Sequence, residues 1–224
     1  MTEVFVREHN GLFLAGGRKV NHDPRSRSFA ATDGGVIKSV RWRRFGICLN
    51  QGQVGSCVGN AHAGLRNHAP NHYEKPVLHE PEAVGIYSLA TEVDPFDGTY
   101  PPSDTGSDGN SGAKASRQLG YIKSWTHAFG VDHALSALMT GPLTIGTDWF
   151  EDMFNPDSKG LVHPTGSLVS GHQYVMDGWD AVHGIFRFNN SWSNQWGYNG
   201  RFFMTYADVD TLLGRDGDAI QIQV

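Results

Sequence analysis

The chain has two cysteines, in unlike surroundings. Cys57 closes the run Gln51-Gly-Gln-Val-Gly-Ser-Cys, so it follows a Gly-Ser turn where a helical pattern begins. A thiol attacks as the thiolate, and a free cysteine with a pKa of about 8.5 is mostly protonated at neutral pH. The partial positive charge of a helix N-terminus and a neighbouring imidazole both favour the charged form. Cys48 lacks such a setting and reads as a small buried hydrophobe. Taken alone, Cys57 admits that reading too.

His172 follows Ser-Gly at the mouth of a strand pattern, in SGHQYVMDGWD at 170–180. The segment FNNSWSNQWGYNGRFFM at 188–204 carries Asn189, Asn190 and Asn194 ahead of another strand, with a turn at YNG. Read alone, this segment is a decorated hairpin, and a single histidine such as His172 is more often structural than catalytic. The other histidines include His62, His68, His72 and His79, whose spacing matches neither a HExxH helix nor a zinc finger, so no metal is expected.

Two kinds of element must position these groups. Cys57, Ala61 and Leu65 recur at i, i+4 and i+8, which predicts a helix, with Gly59 and Gly64 permitting close packing. Further helices are expected at 81–92 with Pro81 in the first turn, at 113–119, and at 133–139 with Asp132 as N-cap. The stretch 94–112 is a long loop rich in Pro, Gly, Asp and Ser. From 142 onward the pattern turns to strands: PLTIGT, QYVMDGW, GIFRFNN, RFFMTY and AIQIQV. Helices first and strands second predict an α+β fold. Residues 1–35, dense in turn signals, read as an extension wrapped over the body or partly disordered.

Composition bounds the function. With 224 residues, 39% hydrophobic and 18% charged, the chain suits one large domain or two lobes in one unit. A net charge of −5 and no basic stripe beyond RWRR at 41–44 argue against nucleic acid. No apolar run approaches the ~20 residues of a membrane span, and residues 1–17 lack the pattern of a secretory signal, so a cytoplasmic location is expected. Two cysteines cannot make a disulfide framework.

Together, three segments resemble the papain-like cysteine peptidases. NQGQVGSC is similar to their nucleophile segment, GHQYVMDGW to their Gly-His strand, and NNSWSNQWGYNG to their Asn-Ser-Trp segment, in the family's chain order. The resemblance covers roughly 36–224 and is sparse between 66 and 140. It implies a two-lobed fold, a helical lobe at about 48–128 and a β-barrel-like lobe at about 129–224, with the cleft between them. It further implies Cys57 as nucleophile, His172 as general base and acid, Asn190 as its orienting partner and Gln51 as oxyanion donor. Trp192 would pack over the His172–Asn190 hydrogen bond. Gly55, Gly171 and, at the end of the long loop, Ser111 and Gly112 would meet an extended peptide. No cofactor is implied, and the expected partner is a peptide or protein substrate of a monomer.

The chain departs from the family at Val54, Val58, Gln173 and Ser193, none of which removes a catalytic group. The missing cysteine at Val54 fits a bacterial or phage-encoded branch, which would act in the host cytoplasm if phage-encoded. Residues 1–35 are shorter than the family's usual inhibitory propeptide. The same four groups would serve a peptidase, a peptidoglycan or other amide hydrolase, or an acyltransferase. A non-catalytic binding module on the same fold is the reading from a different class.

Overall fold

The computed structural model describes residues 4–224. In chain order the elements are β1 (Phe5–His9), β2 (Leu12–Gly16), β3 (Val40–Arg41), α1 (Cys57–Arg66), α2 (Glu80–Val93), α3 (Gly109–Gln118), β4 (Ser124–Ala128), α4 (Gly130–Leu138), β5 (Leu143–Phe150), β6 (Leu168–Asp180), β7 (Ile185–Asn189), β8 (Arg201–Thr205), α5 (Tyr206–Leu213) and β9 (Asp218–Gln223). Helices α1, α2 and α3 pack together as one wall. The main sheet runs β4-β9-β5-β6-β7-β8, with β3 paired to β6, and its path is open rather than closed into a barrel. It takes in β4, ahead of the boundary expected at 129, because Ser124–Ala128 pairs with β9.

Helix α1 forms where the 3.6-residue pattern predicts it, and its glycines set its depth. A Cβ on Gly59 would sit 2.1 Å from the Ala83 carbonyl oxygen of α2, so only glycine permits that crossing. Helix α3 starts at 109, not 113, because the Asp108 carboxylate accepts from the Ser111 N–H at 2.9 Å and caps it. Helix α4 starts at 130, so Asp132 lies in its first turn; its carboxylate accepts from the Tyr206 hydroxyl instead of capping the helix.

The long loop is tied down. Tyr87 Oη donates to Asp104 Oδ1 at 2.5 Å, and the other Asp104 oxygen accepts from the Gly55 N–H at 2.8 Å. The loop thereby braces the turn that precedes Cys57. The larger core lies on the sheet around Trp149, a smaller one among the helices. Among the described residues, no helix is long and apolar enough to cross a membrane.

The N-terminal region is more ordered than its turn signals suggested. Asn10 and Gly11 both take positive φ, and the hairpin β1–β2 folds about them. Leu14 and Ala15 are fully buried, and Arg7 makes a two-pronged ion pair with Glu151 at 2.7 and 2.8 Å.

Candidate active site

Cys57 is the first residue of α1, so its backbone N–H has no partner within the helix. Ser56, the N-cap, makes no side-chain cap; its hydroxyl accepts from Asn60 Nδ2 at 3.0 Å. The thiol is wholly buried. Burial pushes it up to about 11, against the backbone N–H groups of Gln173, Gly17 and Val58 and the charge of Arg18. In this conformation the thiol is neutral, contrary to the thiolate that its helix position predicts. The helix terminus is outweighed by loss of solvent.

His172 lies on β6. Its Nε2–H donates to Asn190 Oδ1 at 2.7 Å. The Ser191 N–H donates to the same oxygen at 2.8 Å, which fixes that atom as the carbonyl end of the carboxamide. The neutral ring therefore carries its proton on Nε2, leaving Nδ1 as a base. Nδ1 is buried and has no hydrogen-bond partner among the described residues. Burial pushes His172 down to about 4, opposed by the Asn190 bond. Trp192 stacks on the imidazole with centroids 4.5 Å apart and planes 18° apart. Trp149 meets the same ring edge-on at 5.0 Å. Indoles on the face and edge exclude water from the hydrogen bond, which strengthens it.

Gln51 is held at both ends of its amide. Its Oε1 accepts from Ser191 Oγ at 2.6 Å, and one Nε2–H donates to the Val54 carbonyl at 2.9 Å, leaving a second N–H. Ser191 thus touches both Asn190 and Gln51.

The groove beside Cys57 is filled by the chain's own residues 15–19. Ala15 accepts from Trp192 Nε1 at 3.1 Å. The Arg18 N–H donates to Gly171 at 3.1 Å, the Ser107 N–H to Gly17 at 2.9 Å, and the Lys19 N–H to Ser107 at 2.7 Å. Gly17 has to be glycine, since a Cβ there would lie 2.3 Å from the Gly55 carbonyl oxygen. Gly55, Gly171 and Trp192 therefore all touch this segment. Ser111 and Gly112 do not line it: they are buried inside α3, and a Cβ on Gly112 would lie 2.5 Å from Val58 and His62. The residue that pairs with the extended backbone is Ser107, just before the Asp108 cap. Sequence reading missed Ser107, Trp149 and Arg18. Its one usable signal was the Gly16-Gly17 pair, whose lack of side chains lets a backbone pass close to another.

No protein-family model matches the chain. It is 34% identical over 89 residues to a cathepsin B-like cysteine proteinase of Schistosoma japonicum, covering 39% of this chain and 24% of that protein. It is 30% identical over 86 residues to cathepsin B of Dictyostelium discoideum, covering 37% and 28%. The matched stretch thus spans about a quarter of the length of these relatives. Among solved structures, xylellain, a cysteine protease from Xylella fastidiosa, superposes with a TM-score of 0.73 at 19% identity, over 93% of this chain and 96% of that one. Digestive procathepsin L 3 of Tenebrio molitor larval midgut gives 0.63 at 14% identity, over 93% and 76%. The fold is papain-like, and a stretch of the chain is similar in sequence to cathepsin B-like cysteine proteinases.

Proposed function

We propose that the protein hydrolyses peptide bonds through an acyl-enzyme on Cys57, and that residues 15–19 hold it in a closed state. The observation that carries this reading is the His172–Asn190 pair under Trp192, with an unpartnered basic Nδ1 on the strand whose next residue, Gln173, presents its backbone to the Cys57 sulfur. With the segment withdrawn, water reaches both groups and the burial that keeps them neutral is relieved.

His172 Nδ1 then takes the thiol proton, and the sulfur attacks the substrate carbonyl carbon. The oxygen that gains charge is met by the Cys57 N–H and the free Gln51 N–H, one such donor being worth about 3 kcal/mol of barrier. The tetrahedral adduct collapses as the imidazolium gives its proton to the leaving amine, and a thioester remains. His172 next deprotonates water, which attacks the thioester. The acid product leaves, and the proton returns to the thiol.

The test is an intact-mass titration with a peptidyl epoxide beside a peptide hydrolysis assay, on wild type, Cys57→Ala and His172→Ala. A single adduct on Cys57, slowed at least tenfold in His172→Ala, and turnover abolished in Cys57→Ala are expected. Hydrolysis that survives in folded Cys57→Ala would sink the reading.

A further inference from the structure

The basic run RWRR at 41–44 takes no part in the site described above, and folding brings two more arginines to it. Arg41 of β3 pairs with Gly178 of β6, Gly178 with Arg187 of β7, and Arg187 with Phe203 of β8, so the four form one row across the sheet. Arg201 stands two residues before Phe203 on β8 and so shares its face. Phe186, Phe188, Phe202 and Met204 alternate with these positions and are fully buried in the core, which leaves the arginines on the outer face. Gly178 keeps the middle of the row low, since a Cβ there would lie 3.2 Å from Arg187 Nε. Together with Arg43 and Arg44, these side chains line a groove of about 310 Å³.

The protein does not balance the charge it gathers there. Among the described residues, none that lines the groove is a carboxylate. Asp177, behind the row, accepts from Arg187 at 2.7 Å but shares its charge with His68 and its lone pairs with Asn189. Arg44 donates only to neutral carboxamides, at 2.8 Å to Asn189 Oδ1 and 3.5 Å to Asn194 Oδ1. Arg201 Nε is buried and has no hydrogen-bond partner among the described residues. Burial, then the charges of Arg44 and Arg41, hold the Arg201 guanidinium below its ordinary value, against the pull of Asp177. Like charges gathered in this way destabilise the fold, and an anion from outside relieves them.

We propose that this groove binds a short ligand carrying several phosphate groups. The proposal is independent of the peptidase reading. Guanidinium forks reach the groove from three strands and from the stretch after β3, so they approach a ligand from several sides. A tetrahedral phosphate offers oxygens in as many directions, whereas a carboxylate offers two in one plane. The rest of the protein limits the ligand's length. The net charge is −5 even with these arginines counted, so the surface beyond the groove is acidic. Charges more than about 10 Å away are largely screened, so a short anion feels the groove alone, while a long one meets repulsion.

The test is a calorimetric titration of the full chain with sodium tripolyphosphate at low salt. Wild type is set beside the Arg41→Gln, Arg201→Gln double variant, and beside Arg41→Gln, Arg43→Gln, whose two positions are exposed, in case the first folds poorly. Expected is one tripolyphosphate per chain, held about tenfold or more tighter than inorganic phosphate and weakened about tenfold or more in either double variant. Arg201→Lys keeps the charge without the fork and should fall between. Arg117→Gln, exposed on α3 and outside the groove, should bind as wild type. No tripolyphosphate binding at low salt, or binding that a folded double variant keeps, overturns the proposal. Equal affinity for an oligoglutamate peptide of the same charge also overturns it and makes the groove a dock for acidic protein segments. Affinity that climbs steadily with the length of a single-stranded oligonucleotide overturns it in favour of a nucleic-acid face. None of these measurements uses turnover, so failure here leaves the peptidase reading untouched.

Discussion

Arg187–Asp177 and Arg18–Asp218 are both buried ion pairs whose carboxylate comes from the main sheet, but their cations have different origins. Arg187 lies on the strand next to Asp177 and donates to it at 2.7 Å. His68 of the helical wall donates at 3.2 Å, and Asn189 Nδ2 completes the shell. Asp177 is wholly buried, yet the hydrogen bonds and charges of His68 and Arg187 outweigh burial and hold its carboxyl below the usual carboxylate range. Arg18, by contrast, comes from 200 residues away in sequence, on a segment that fills the groove. The first pair links neighbouring strands of one sheet, and through His68, just past α1, its carboxylate also ties the sheet to the helical wall. The second is a contact the fold can release, because Asp218 keeps Gln173 and is 17% exposed on its side chain.

The largest expected effect lies at the fixed pair. Asp177→Ala leaves Arg187 buried without its carboxylate and His68 Nε2 without its acceptor, although Nδ1 keeps the Gly64 carbonyl, which should cost about 3–5 kcal/mol and lower Tm by roughly 10 °C. Asp218→Asn keeps the shape and should lower Tm by less than a third of that. Thermal melts of the two variants measure the difference directly, and equal losses would erase the distinction between a fixed and a releasable pair.

Releasing the segment by another route sharpens the comparison. Gly17→Ala drives a Cβ into the Gly55 carbonyl, a backbone contact that rotamer change cannot relieve. Alkylation of Cys57 by iodoacetamide should speed up by about tenfold or more, since reactivity follows exposure and thiolate content. Cys48 should stay unlabelled in the same sample. Its Sγ donates to the Asn190 carbonyl at 3.0 Å and is walled in by Gly200, and burial in the core raises it to about 11. Burial pushes both thiols up, but only Cys57 is covered by the segment proposed to withdraw. Labelling of Cys48 at the same rate in Gly17→Ala would mean that the whole domain loosens instead.

Much of this site was legible because its parts are local runs. The spacing from Gln51 to Cys57, the Gly-His pair before a strand and the Asn-Ser-Trp run each fall within a dozen residues. The helix at α1 and the five later strands follow from periodicity in the same way. The Asn10-Gly11 turn was visible, but nothing local says that the strands beside it seat Ala15 under Trp192. The Arg18–Asp218 pair was hidden for a similar reason: it exists only once β9, coming last in the chain, inserts between β4 and β5. Ser107 was passed over for Ser111 and Gly112 because α3 was expected to begin four residues late. The capping carboxylate of Asp108 decides that boundary, and no apolar period marks it.

Acid provides a milder probe of the two histidines near the nucleophile helix. Burial pushes His62 and His172 down to about 4, from an ordinary value of 6.5. Between those values the unfolded chain binds more protons than the folded one, so stability is full above pH 6.5 and falls as pH drops toward 4. The window closes above the region where Asp177 titrates. His62 stays covered by α3 whatever the segment does, with Nε2 at 2.9 Å from the Gly109 carbonyl. His172→Gln should therefore flatten part of the pH slope and leave the His62 part. A melt-against-pH curve identical to wild type would show that His172 is not buried in solution.

The smallest effect is expected at the third arginine–carboxylate pair, Arg7–Glu151, which has the most regular geometry of the three and the least burial, at 30% and 44% side-chain exposure. It ties the β1–β2 hairpin to the body, so it looks like the latch of the closed state. Water and salt screen it, however, and the entropy of fixing two long side chains offsets much of the attraction. Glu151→Gln should leave Tm and the rate of Cys57 alkylation within error of wild type, in low and high salt alike. A marked rise in alkylation would move the latch from the buried Arg18 contact and the packing of Leu14 and Ala15 to the surface, and would make the closed state sensitive to ionic strength.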